Sequence, residues 1–261
     1  MKVVKKRKEA DLISHLCLGK TTKLKIAIDN TTHFAVEKSL KRALKIRINR
    51  WVKDVPAWPE NYKVKDVAFR VAGIGSVGLK RYMFLLQHNT RKHKFLVVEI
   101  KQTRPSCLSP YVNVQQPEWK SEIERLIAIK RRMQNLPPAL LSEIDFEGEA
   151  HPFQEMQPIV DKIKFNLIDD NRHDLEKVIK AMAMLTASVQ IRSSGMQGSV
   201  IIDNLAAFAR RSDWQDHVMD YAHTYEKQVD SDYKEFNADV AADKFLFWRR
   251  SYLYTLRQND K

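Results

Sequence analysis

The sequence predicts an α+β fold, an antiparallel sheet with one attached helix flanked by helical segments. Three observations carry this. Residues 1–62 read as helical, three short β-branched and aromatic runs follow between Val67 and Lys101, and helical periodicity returns from Asp174. The 261 residues suffice for a buried core, and 44% hydrophobic with 30% charged residues is a globular balance. By composition the chain divides into a basic helical head (1–62), a mixed middle (63–165) and a helical tail (166–261).

The head carries 15 basic against 6 acidic side chains, most of the net charge of +13. Its densest part runs from Lys38 to Lys53, where Lys38, Lys41, Arg42, Lys45, Arg47, Arg50 and Lys53 surround Val36, Leu40, Leu44, Ile48 and Trp51. Those apolar positions step by four or three and form one helical stripe. Such a helix could bind nucleic-acid phosphates by counterion release, or meet an acidic partner. The plainer reading, a solvated basic face on a packing helix, is preferred because charge runs are usually solvent faces. No helix-turn-helix spacing, zinc finger or RNP motif supports nucleic-acid recognition.

In the middle, Val67–Val71, Leu79–Gln87 and Phe95–Lys101 read as successive strands of a meander. Glu118–Gln134 reads as a helix terminated by Pro137-Pro138. Glu143–Phe146 and Phe153–Met156 are short strands flanking a turn at Gly148. In the tail, Leu175, Val178, Ile179, Met182 and Leu185 share one helical face, and helices resume near Asp213 and Asp239. Cys17 and Cys107 make no disulfide framework, no apolar run nears the roughly 20 residues that span a bilayer, and Met1–Ala10 lacks a signal peptide's apolar stretch. The expectation is a soluble cytoplasmic protein with no membrane partner.

Chemistry concentrates in the middle. Gly73-Ile74-Gly75-Ser76-Val77-Gly78 matches G-x-G-x-x-G. A Rossmann site needs a helix after this loop, whereas here a strand follows. Strand, glycine loop and strand is the arrangement that covers ATP phosphates in protein kinases. That reading requires a lysine on the next strand, and Val97-Val98-Glu99-Ile100-Lys101 supplies it. It then requires a helical glutamate to hold the ammonium group. Glu122 and Glu124 are available, with Glu124 favoured. Glu155, Met156 and Gln157 fall where a hinge would present backbone groups to the adenine edge. The plain alternatives are a tight turn, a strand-end lysine, a surface carboxylate and an edge strand; the order of the parts favours the nucleotide reading.

These residues resemble the domain-of-unknown-function 2252 family of bacteria, which is related to protein kinases and small-molecule phosphotransferases. The resemblance runs from about Val67 to Phe236. It rests on Arg70 to Gly78, on Glu99-Ile100-Lys101 with Ser106, and on Arg125 with Arg131-Arg132-Met133-Gln134. It continues through Glu155-Met156-Gln157-Pro158 with Asp161, and through Gln190 to Gly195 with Gln197-Gly198-Ser199. It implies a kinase-like small lobe binding ATP, an incomplete large lobe, and second-rank site residues Arg192 and Ser199. Family members carry a Gly-Asp-x-His-x-x-Asn catalytic loop and an Asn-Asp-Phe-Asp metal segment before the glycine loop. Neither occurs here, and Asp11, Asp29 and Asp54 lie in no such context. The chain therefore resembles the C-terminal part of a family protein. It is expected to bind nucleotide without turnover, with a separate N-terminal half supplying the catalytic loop and any Mg²⁺ ligands.

Overall fold

The head is not wholly helical. The computed structural model describes residues 9–20, 23–54, 61–73, 78–138, 140–146, 148–156, 163, 168 and 171–245. After α1 (Glu9–Leu16) come the short strands β1 (Cys17–Leu18), β2 (Lys25–Ile26) and β3 (His33–Ala35). Strands of two or three residues are too short to print an alternating pattern, so the sequence concealed them. Helix α2 (Lys38–Asp54) follows. Its start is held by the Glu37 carboxylate, which accepts the N–H groups of Ser39 and Leu40 at 2.8 and 2.9 Å.

Strands β4 (Tyr62–Arg70), β5 (Arg81–His88) and β6 (Phe95–Lys101) form the expected meander, with β4 longer than the sequence suggested. Helix α3 (Glu122–Met133) precedes the hairpin β7 (Ser142–Phe146) and β8 (Glu149–Glu155). β3 to β8 make one antiparallel sheet in the order β3-β4-β5-β6-β8-β7. β1 and β2 pair separately.

Packing follows from strand alternation. On one face Phe84, Val98, Ile100 and Phe153 are fully buried against Leu44 and Ile48 of α2. The predicted helical stripe is thus the lid of the main core, and the head is no separate domain. On the other face Ala68, Met83, Leu85 and Val97 pack against Leu16, Cys17, Leu24 and Ile26. Buried Asp66, beside a bulge in β4, ties the layers together: it accepts from the Ile26 N–H at 3.0 Å and pairs with Lys41 at 2.5 Å. Burial pushes the Cys17 thiol up to about 11, with the Asp66 charge adding to it, so this thiol stays protonated at neutral pH.

Helix α4 (Arg172–Ser193) completes the first of two compact units, residues 1–193. The second, residues 194–261, contains α5 (Ile202–Ala209) and α6 (Asp213–Ala241). α5 was not anticipated. The helix expected near Asp239 is the end of α6, which runs unbroken through that position. No helix among the described residues is long and apolar enough to cross a membrane.

Candidate anion-binding site

The glycine motif joins two antiparallel neighbours, β4 and β5. Gly73 and Gly78 have φ of +71° and +82°, which L side chains rarely adopt, and neither has a heavy atom within 4 Å of an added Cβ. Conformation, not crowding, is what requires glycine here. Ile74 to Val77, and with them Gly75 and Ser76, lie outside the described residues, as does Gln157.

Lys101 is the last residue of β6 and is half-buried. Its face can be read from the register. Arg81 lies directly opposite Lys101, Met83 opposite Glu99, and Ala68 opposite Met83. The face that is apolar at Leu85, Val97, Met83 and Ala68 therefore becomes charged at Arg81, Glu99, Lys101 and Arg70 as the strands approach the glycine turn. His33, opposite Arg70, shares this face.

Glu99 is the centre of the charged end. Its Oε2 accepts from Arg70 at 2.8 Å and from Arg81 at 2.6 Å, while its Oε1 accepts from the Gln154 amide at 3.0 Å. Gln154 in turn accepts from Lys130 Nζ of α3 at 2.9 Å. Burial alone would push the Glu99 carboxyl up, but Arg81, Arg70 and the Gln154 amide together hold it below its ordinary value. Burial is the main cause that depresses Arg70, and Arg81 adds to it. Lys130 is lowered first by burial, then by Lys101 and Arg81, with Glu99 opposing. His33 Nδ1 meets Asp29 at 3.1 Å, and its buried Nε2 has no hydrogen-bond partner among the described residues.

The other expected site residues are distributed differently. Glu124 serves the start of α3: its N–H donates to Ser121 Oγ at 3.1 Å, and its carboxylate accepts the Lys120 N–H at 2.7 Å. This is a form of capping box, legible as Ser121-x-x-Glu124. No ion pair between Glu124 and Lys101 is found among the described residues. Met156 is buried, and its N–H donates to Val97 C=O at 2.9 Å, so this N–H continues the sheet ladder. Glu155 ends β8 opposite Val98. Arg192, in the first unit, donates to Asn135 Oδ1. Ser199, in the second, closes its own loop by accepting from the Met196 N–H at 3.0 Å. Among the described residues no three His, Cys, Asp or Glu side chains converge as a metal site.

Three of the seven α2 cations serve their own chain. Besides the Lys41–Asp66 pair, Lys45 donates to Lys65 C=O and Arg47 to Asp145 C=O, both at 2.7 Å. Lys38, Arg42, Arg50 and Lys53 are exposed.

A family model described as an uncharacterized protein conserved in bacteria (DUF2252) matches residues 1–239. The chain belongs to this family. The match includes the head, which the resemblance from Val67 onward had left out, so β1 to β3 and α2 are as much part of this DUF2252 chain as the sheet. No curated protein and no solved structure matches it.

Proposed function

We propose that this DUF2252 chain is a kinase-like nucleotide-binding module that takes up ATP through its phosphates and does not transfer a phosphoryl group by itself. One observation carries the reading: two strands joined by a glycine turn are followed, in the same sheet, by a strand whose last residue, Lys101, lies on a face dense in cations. In this reading Gly73, Gly75, Ser76 and Gly78 cover the phosphates, because backbone N–H groups can approach where no side chain intervenes. Lys101 pairs with them as a point charge. Glu124 is withdrawn as the partner of Lys101, since it caps α3.

Phosphoryl transfer needs an aspartate to orient the nucleophile and ligands for Mg²⁺. We assign both to a separate polypeptide carrying the catalytic loop. Its free cysteines, one of them exposed, suit a reducing compartment, and we place it in the cytoplasm. The basic helix is not favoured as a nucleic-acid surface, because Lys41, Lys45 and Arg47 are engaged internally.

The test is calorimetric titration with ATP–Mg²⁺ of the wild type and Lys101→Met. The expected result is binding by the wild type, weakened at least about tenfold by loss of one charge-assisted contact. Absence of wild-type binding, or equal binding by both proteins, refutes the proposal.

A further inference from the structure

We propose that the ligand is gripped by its phosphate chain and not by its base. Arg70, Arg81, Lys101 and Lys130 form one polyphosphate-binding face beside the glycine turn, which tripolyphosphate occupies as well as ATP does. This deepens the nucleotide reading and rests on it for the role of Lys101.

The argument starts from charge balance. Arg70 and Arg81 bind one buried carboxylate, Glu99, and two ammonium groups share its surroundings: Lys130, bonded to Gln154, and Lys101, two residues along β6 on the same face. Among the described residues, a carboxylate shared by two guanidinium groups balances one charge of the four and leaves three. Arg81 and Lys101 are also direct cross-strand neighbours, where like charges are unfavourable. Partly buried cations of one sign persist where an anion joins them. The two guanidinium groups offer forked donors that match phosphate oxygens, and the two ammonium groups offer point charges.

Position fits as well. Arg70 stands three residues before Gly73, and Arg81 three after Gly78. Both arginine side chains thus leave the base of the turn on the same face as Lys101. Lys130 reaches that face from α3 through Gln154. His33 Nε2, buried opposite Arg70 and without a hydrogen-bond partner among the described residues, is a further polar atom there. Ligand pockets that hold bases are lined mainly by apolar side chains, whereas among the described residues Lys101 shares its end of the face with Arg81, Glu99 and Lys130.

Glu99 competes with the anion for Arg70 and Arg81, and this separates the proposal from a purely structural ion cluster. The experiment titrates the full chain with tripolyphosphate, ATP and adenosine at one ionic strength without divalent cation. The proteins are the wild type, Lys101→Met, Glu99→Gln and the paired variant Arg81→Gln/Glu99→Gln, with thermal unfolding of each followed in parallel. The paired variant removes both members of the Arg81–Glu99 pair, and Arg70 is left without its carboxylate in it as in Glu99→Gln, so the comparison of those two isolates Arg81. Tripolyphosphate and ATP are expected to bind within about threefold of each other, and adenosine not at all. Glu99→Gln should bind severalfold tighter although it is less stable, and the paired variant about tenfold weaker than Glu99→Gln.

Binding of ATP but not of tripolyphosphate overturns the proposal. So does unchanged tripolyphosphate affinity in both Glu99→Gln and the paired variant. If ATP binding depends on Lys101 but not on Arg81, this proposal fails and the nucleotide module stands. If tripolyphosphate binding depends on Arg81 but not on Lys101, the anion face stands and the kinase-like role of Lys101 fails.

Discussion

Two regions of this molecule are rich in cations, and they differ in every physical respect. On α2 the cations are dense along the chain, seven between Lys38 and Lys53, yet in space they fan around a helix. Some neutralise Asp66 or cap backbone carbonyls, and the rest face water. Around Glu99 the cations are sparse along the chain, at positions 70, 81, 101 and 130, yet the sheet brings them to one face. Solvated charge is screened within about 10 Å at moderate salt, whereas partly buried charge is not. Charge density along a sequence therefore says little about where a protein holds an anion.

The comparison can be broken first at Glu99. Replacing it by alanine leaves two guanidinium groups without their shared carboxylate, and removing one side of a buried pair costs about 3–5 kcal/mol. Urea unfolding of Glu99→Ala should show this loss with an unchanged m-value. A loss below about 1 kcal/mol means that water reaches the cluster, making it another solvated patch. For α2 the corresponding large effect is apolar. Leu44→Ala empties a fully buried site in the main core and should cost about 2–5 kcal/mol by the same measurement.

These two residues also show what could be read in advance. Leu44 belonged to a stripe stepping by four and three, so periodicity alone placed it, and the strands around the glycine turn were legible in the same way. Glu99 was visible only as the residue two before Lys101. Its hydrogen-bond partners come from three other elements, and no local pattern encodes register across β4, β5, β6 and β8. Glu124 taught the reverse. A local signal, Ser121-x-x-Glu124, explains it as a cap, whereas order along the chain points to a distant role that the structure does not show. The short strands β1 to β3 are defined by pairing, β1 with β2 locally and β3 with β4 over more than 30 residues, and are too short to show alternation.

Acid should sharpen the contrast. The Glu99 carboxyl is held below its ordinary 4.5, so the unfolded chain takes up that proton first. Stability from the cluster is then complete at neutral pH and is lost as pH falls below 4.5 toward the folded-state value. The wild type should lose more stability between pH 6 and pH 3, as windows of urea unfolding, than Glu99→Gln, whose amide cannot titrate. Parallel curves for the two proteins mean that Glu99 is not the group responsible.

The smallest effects belong to the outer face of α2. Single changes Lys38→Gln, Arg42→Gln, Arg50→Gln and Lys53→Gln should each stay within about 0.5 kcal/mol, as exposed sites without specific contacts do. Lys41→Met must differ, because it leaves Asp66 buried without its ammonium partner, and about 1–3 kcal/mol is expected for a buried acceptor so stripped. Neighbours on one helix thus separate by function, one set solvated and one structural. The same four Gln variants combined remove four positive charges from the chain while leaving the Glu99 cluster intact. If tripolyphosphate affinity at physiological salt is unchanged in that fourfold variant and reduced by Lys130→Met, anion binding resides on the sheet face. If the fourfold variant loses affinity and Lys130→Met does not, the dense helix was the binding surface after all.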